Sequence, residues 1–281
     1  MKIGIVNSAY EAESGCVDYK KMKEHGFDCA DYQGLMNLKM PIYTVADDAY
    51  ERMLTEERKA ANNAGITFSQ VHAAWPVRDR TPEETEQNLA YMKKAVRGTN
   101  FLGSEYLVVH PVMPYGFEKE DNVDEVMQII ARFFGALCDY ALDYDVKICM
   151  ENMPFPNLAL SHIPNICRFI QDLGRKNLFV CLDTGHVNCC NEDCGEMIRL
   201  CGDLLKVLHI HDNNRKNDLH LYPYYGTIDW EGFRQALVDI RYDGCLSLET
   251  YAPLKLKGKV REDAQTLLVE IVRALQEGGG R

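Results

Sequence analysis

The sequence predicts a single (β/α)8 barrel of the α/β class. Eight short apolar or β-branched runs recur along its 281 residues, and segments of helical periodicity lie between most of them. A third observation is positional. Nine potential metal ligands fall at or just beyond the C-terminal ends of six of these strands: His72, His110, Glu151, Asp183, His186, His209, Asp218, His220 and Glu249. The mouth at those ends is where barrels of this kind keep their active sites.

The strands are expected near 3–7, 28–32, 66–72, 105–110, 146–151, 178–183, 205–211 and 244–249. Helical periodicity covers 17–24, 44–64, 82–98, 123–144, 163–173, 196–201 and 230–240, with a last helix at 261–276. Thr81-Pro82-Glu83-Glu84 supplies an N-cap, a proline at the first helical position and acids in the first turn. Gly65, Gly174 and Gly244 mark helix-to-strand turns. No linker divides the chain, so residues 1–277 form one barrel and 278–281, a Gly-rich tail, is expected to be flexible.

Composition narrows the function. Net charge is −11 with no run of Lys or Arg, which disfavours nucleic acid as a partner. Met1 leads directly into a strand with no basic region or long apolar stretch, and eleven cysteines lie scattered through strands and helices. No membrane association and a cytoplasmic location with reduced thiols are therefore expected. Cys189, Cys190, Cys194 and Cys201 follow no zinc spacing and read as buried thiols. Met113, Met150 and Met153 read as core-rim fillers.

Strand parity tests the ligand set, because side chains alternate between the barrel interior and the helix layer. His209 and His211 share one face while Leu208 and Ile210 share the other; Glu249 faces inward opposite to Leu246 and Leu248. The same phase joins Glu151 to Cys149, Asp183 to Cys181, His110 to Val108 and His72 to Gln70. A single histidine at a strand end is ordinarily a hydrogen-bonded structural residue. Carboxylates converging on one mouth repel one another unless a cation joins them, and mixed His and carboxylate donors suit zinc, manganese, iron or cobalt better than calcium.

The run Cys181-Leu182-Asp183-Thr184-Gly185-His186 is followed by His209-Ile210-His211-Asp212-Asn213-Asn214, then Asp218-Leu219-His220 and Gly226-Thr227-Ile228-Asp229-Trp230. From Ile3 to Tyr251 the chain resembles the xylose-isomerase-like barrel superfamily, which includes sugar epimerases and isomerases, inosose dehydratases and the endonuclease IV type of abasic-site nuclease. In the epimerase branch the resemblance implies one divalent metal on Glu151, Asp183, His209 and Glu249, with His186 and Arg215 near the substrate. It prefers His209 over His211 because the family ligand lies three residues before an acidic residue, here Asp212; His211 stays open as a ligand or supporting group. The nuclease branch adds His72, His110, His186, Asp218 and His220, making up to three metals.

Other residues favour the sugar branch. Leu221-Tyr222-Pro223-Tyr224-Tyr225-Gly226 stands where the nucleases carry a small polar stretch, and the mouth loops offer little positive charge beyond Arg78, Arg80 and Arg215. Trp75, Tyr115, Phe117, Phe155, Tyr222 and Tyr224 can wall a small-molecule pocket or pack as lids on the rim. Tyr10 and Gln33 lie within reach, and no pattern singles them out. The expected reaction is isomerisation or epimerisation of a small sugar, sugar phosphate or polyol-like keto compound through an enediolate. Glu151 and Glu249 would be base and acid, and His72, His110, Trp75, His186 and Arg215 substrate contacts. Three alternatives stand beside it: a multi-zinc phosphodiesterase, a keto-polyol dehydratase and a non-catalytic metal- and sugar-binding barrel. A homo-oligomer is left open.

Overall fold

The computed structural model describes residues 1–12, 14–75, 81–116, 122–251 and 255–277. Its strands are β1 (Lys2–Val6), β2 (Cys29–Tyr32), β3 (Thr67–His72), β4 (Tyr106–Val109), β5 (Lys147–Glu151), β6 (Leu178–Asp183), β7 (Leu205–His209) and β8 (Cys245–Leu248). They pair in parallel in sequence order from β1 to β7, and β8 returns to pair with β1. The ring closes where Ile210 bridges Leu248: the Ile210 amide donates to Ser247 O at 2.8 Å and the Glu249 amide to Ile210 O at 3.0 Å. All eight expected strands are present.

The helices are α1 (Tyr19–Glu24), α2 (Asp47–Asn63), α3 (Pro82–Leu102), α4 (Val123–Ala141), α5 (Ile163–Leu173), α6 (Thr184–Cys189), α7 (Cys194–Cys201), α8 (Trp230–Asp239) and α9 (Gly258–Glu277). The Thr81 side chain caps α3 by accepting from the Glu84 amide. That helix runs past Gly98, where periodicity had suggested its end, and stops at Gly103 in the left-handed region (φ 74°). Gly98 is instead a point of close approach, since a Cβ there would lie 2.3 Å from Tyr50 Oη on α2. Sequence periodicity missed α6, which is only six residues long, directly follows β6 and is too short to show a repeat.

Two apolar layers position the site. The larger core lies between sheet and helices, and a smaller cluster of Val108, Cys149, Cys181 and Val207 fills the barrel interior. Three of those four are the inward partners that parity assigned to His110, Glu151 and Asp183. The ligand candidates therefore stand one interior layer above a dry plug. Cys189, Cys190, Cys194 and Cys201 are all buried, and Met113 and Met153 pack with Leu158 at the rim. Among the described residues no helix is long and apolar enough to cross a membrane.

Candidate metal centre

Glu151, the last residue of β5, is the hub of the mouth. Its Oε1 lies 2.7 Å from His209 Nδ1, and its Oε2 lies 2.7 Å from His110 Nε2 and 3.1 Å from His72 Nε2. His209 Nδ1 also lies 3.5 Å from Glu249 Oε2. One donor atom from each of Glu151, Asp183, His209 and Glu249 falls within 4.8 Å of the others. The four residues implied by the epimerase resemblance thus converge from four strand ends. His72, His110 and Glu151 form a neighbouring group of the same tightness.

A second cluster adjoins it. His211 Nε2 lies 3.0 Å from Asp183 Oδ1 and 3.5 Å from Asp218 Oδ1, while Asp218 Oδ2 sits 3.2 Å from both His186 Nε2 and His220 Nε2. His211 and His220 stack with ring centroids 4.0 Å apart. His211 thus faces the Asp183–Asp218 side of the mouth, while His209 faces Glu151. Gly185 makes room for this arrangement, because any Cβ there would enter the His211 ring.

The loop after β7 is pinned by a buried carboxylate. Asp212 accepts from the amides of Asn213, Gly226 and Thr227 at 2.8, 3.0 and 3.0 Å and from Trp230 Nε1 at 2.8 Å. Its backbone exchanges two hydrogen bonds with Leu221. Those bonds hold the adjacent His220 in a left-handed conformation (φ 49°), which costs a residue with a Cβ about 1–2 kcal/mol. The acid that marks His209 in the family pattern is therefore a loop anchor.

The electrostatics fit a cation. Burial alone would raise Glu151 and Asp183, but the facing histidines outweigh it and hold both carboxyls below their usual range. Burial would lower His186, but Asp183 and Asp218 overcome it and raise the imidazole to about 10. For His220, burial is likewise outweighed by Asp218 and Glu249, giving about 9. His110 goes the other way, lowered by burial. The buried nitrogens His110 Nδ1, His209 Nε2 and His211 Nδ1 have no hydrogen-bond partner. Buried acids that neutralise one another only through histidines, beside unpaired nitrogens, form a nitrogen and oxygen donor set suited to a borderline divalent metal.

A cavity of about 330 Å³ opens above this centre. Its lining includes His72, Trp75, His110, Glu151, His186, Asp218, His220 and Glu249, with Met36, Met153, Pro154, Phe155 and Tyr251. Trp75 meets His110 edge-on at 5.6 Å. Arg215 does not line this cavity; its Nε donates to Asn188 Oδ1 at 3.2 Å. Tyr222 is buried and donates to Ala264 O, Tyr115 and Tyr224 are exposed, and Tyr10 is buried with its hydroxyl on His25. Arg78, Arg80 and Phe117 lie outside the described residues. Reading from the sequence passed over Met36, Tyr251, Asp31 and the role of Gln33. Asp31 was open to discovery by the parity that served the other strands.

The family described as xylose isomerase-like TIM barrel matches residues 19–270. The chain belongs to that family. It is 32% identical over 274 residues to the D-psicose 3-epimerase of Ruminiclostridium cellulolyticum, covering 89% of this chain and 84% of that one. Among solved structures, a D-psicose 3-epimerase crystallised in the presence of D-fructose superposes with a TM-score of 0.80 at 20% identity, over 100% of both chains. The IOLI protein with a binding zinc atom gives 0.79 at 18% identity, over 100% of this chain and 99% of that one. These relatives place the xylose isomerase-like chain among sugar isomerases and epimerases.

Proposed function

We propose that this protein is a divalent-metal-dependent isomerase or epimerase of a small sugar, sugar phosphate or polyol-like keto compound, acting through an enediolate. The observation that carries the reading is the convergence of Glu151, Asp183, His209 and Glu249, two of them glutamates, beneath a cavity of about 330 Å³. Those four residues would hold one manganese, zinc, cobalt or iron ion. When bound, such an ion polarises the adjacent carbonyl and hydroxyl oxygens of the substrate and acidifies the C–H between them. Glu151, on β5, and Glu249, beyond β8, approach from different sides of the ring. One takes the proton from carbon at a carboxylate oxygen, and the other returns a proton at the opposite face. His72, His110 and His186 border the cavity as hydrogen-bonding groups for substrate hydroxyls, and Trp75 and Phe155 wall it against water. The proposed setting is the cytoplasm, on the ground that eleven cysteines are scattered through the sequence in no disulfide-framework spacing.

The completeness of the second cluster favours one further reading, in which His72, His110, His186, Asp218 and His220 hold additional metals and the substrate is a phosphodiester. Metal analysis of protein purified without chelator, followed by proton NMR of ketoses and inososes in deuterated buffer, separates the two. About one metal per chain with deuterium entering at the carbon next to the carbonyl supports the epimerase reading. About three zincs, with cleavage of abasic DNA and no exchange into any keto sugar, overturns it.

A further inference from the structure

β2 contributes none of the nine ligand candidates, yet Asp31 on it and Gln33 just past its end reach the ligand ring. Asp31 is completely buried, and its Oδ2 lies 3.1 Å from His209 Nε2. Gln70 Nε2 donates to the same oxygen at 3.3 Å, and Oδ1 has no hydrogen-bond partner. Among the described residues, His209 is the only ion-pair contact of Asp31. The contact is one of proximity and not an aligned hydrogen bond.

Gln33 follows two residues later, just past the strand. Its backbone amide donates to Asn7 Oδ1 at 2.8 Å, and its Oε1 accepts from Ser8 Oγ at 2.7 Å. These contacts turn its Nε2 toward Glu249 Oε1 at 3.1 Å and Tyr251 Oη at 3.0 Å. Tyr251 donates to the same Glu249 oxygen at 2.8 Å.

We infer that β2 is the orienting strand of the metal site. Asp31 keeps the proton of His209 on Nε2, so that the Nδ1 lone pair is the one turned into the ligand ring, and Gln33 with Tyr251 holds Glu249 Oε1, leaving Oε2 for coordination. The inference rests on the metal reading above. Its physical basis is that a neutral imidazole carries one proton, so a nitrogen that binds a metal leaves the proton to the other nitrogen, where a neighbouring carboxylate holds it and fixes the ring. In the metal-free geometry His209 Nδ1 is hydrogen-bonded to Glu151 Oε1 at 2.7 Å; a metal held by Glu151 and Glu249 would take the Nδ1 lone pair, which leaves the ring proton to Nε2, 3.1 Å from Asp31 Oδ2. A buried carboxylate with no Lys or Arg contact is costly unless it serves such a role. Asp31 and Gln33 are thus positioning residues: neither lines the substrate cavity, and each acts through a ligand.

The test uses the full chain, stripped of metal, with Co(II) as the probe. Affinity is read by competition with a chromophoric chelator, geometry by the visible ligand-field spectrum of the saturated protein, and fold by the melting temperature without metal. D183A serves as the ligand control. Wild type is expected to bind and D183A to lose binding. D31N should bind about 10- to 100-fold more weakly with a changed spectrum and an intact fold. Q33M should weaken binding by about 2- to 10-fold, because Tyr251 still donates to Glu249. Wild-type affinity and spectrum in D31N overturn the inference, and if D31N does not fold, the same result in Q33M does so. If wild type binds no Co(II), or D183A binds as well as wild type, the metal reading itself falls and takes the inference with it.

Discussion

A Cβ built on Gly185 would lie 1.9 Å from Cε1 of His211. The first turn of α6 and the His211 ring thus share space that only a glycine leaves open. His211 is fully buried and stacked on His220, so it cannot swing aside as a surface side chain would. Gly185→Ala should therefore destabilise the protein by about 1–3 kcal/mol, the usual cost of overpacking a filled interior. Urea unfolding should show a lower midpoint at unchanged slope. An unaltered midpoint would mean that the mouth has slack which the structure does not show.

The two glutamates lie in different surroundings. Glu151 is ringed by His72, His110 and His209, whereas Glu249 is held by the neutral groups of Gln33 and Tyr251. Glu151→Gln and Glu249→Gln should each lower kcat by at least about 10²–10⁴-fold while the circular dichroism spectrum stays native. Glu151→Gln should also weaken metal binding more, since three imidazoles lose their carboxylate partner. Near-normal turnover in either variant would rule out the carboxylate-pair mechanism.

The contrast between what parity revealed and what it hid has a physical basis. Alternation along a strand fixes which residues face inward, so His72, Glu151, Asp183, His209 and Glu249 were legible one strand at a time. The interior plug of Val108, Cys149, Cys181 and Val207 obeys the same phase. Contacts between strands far apart in sequence depend on stagger and barrel closure, which alternation does not encode. Hence the meeting of Asp31 with His209 and of Gln33 with Glu249 was hidden. Loops escape for another reason. Arg215 has a left-handed backbone (φ 67°) and turns onto Asn188, a local choice that residue type alone does not fix.

Asp212 shows how strongly the loop over the second cluster is built. Its fully buried carboxylate receives backbone donors from Asn213, Gly226 and Thr227 as well as Trp230 Nε1. Asp212→Asn would set an amide N–H2 against at least one of those donors. A loss of about 3 kcal/mol is expected, because a buried group left facing its own kind keeps its desolvation cost without a partner. Thermal unfolding should report it, and Asp218 and His220, carried on the same loop, should lose metal occupancy together. A variant as stable as wild type would show that the loop is anchored elsewhere.

The second cluster also sets a pH dependence. His186 and His220 are raised from 6.5 to about 10 and about 9, with burial opposing the shift and Asp183, Asp218 and Glu249 overcoming it. Groups raised on folding contribute stability that is fully present below the unfolded value near 6.5 and is lost as pH climbs through the folded values. Metal-free protein should therefore melt at progressively lower temperature as pH rises from about 7 to about 10. A cation entering the cluster must displace the same protons. Calorimetric titration in two buffers of different ionisation enthalpy, near pH 7.5, should register release of up to about two protons per chain from this cluster. Binding there with no proton release, together with a melting temperature that does not fall, would mean that both imidazoles are already neutral.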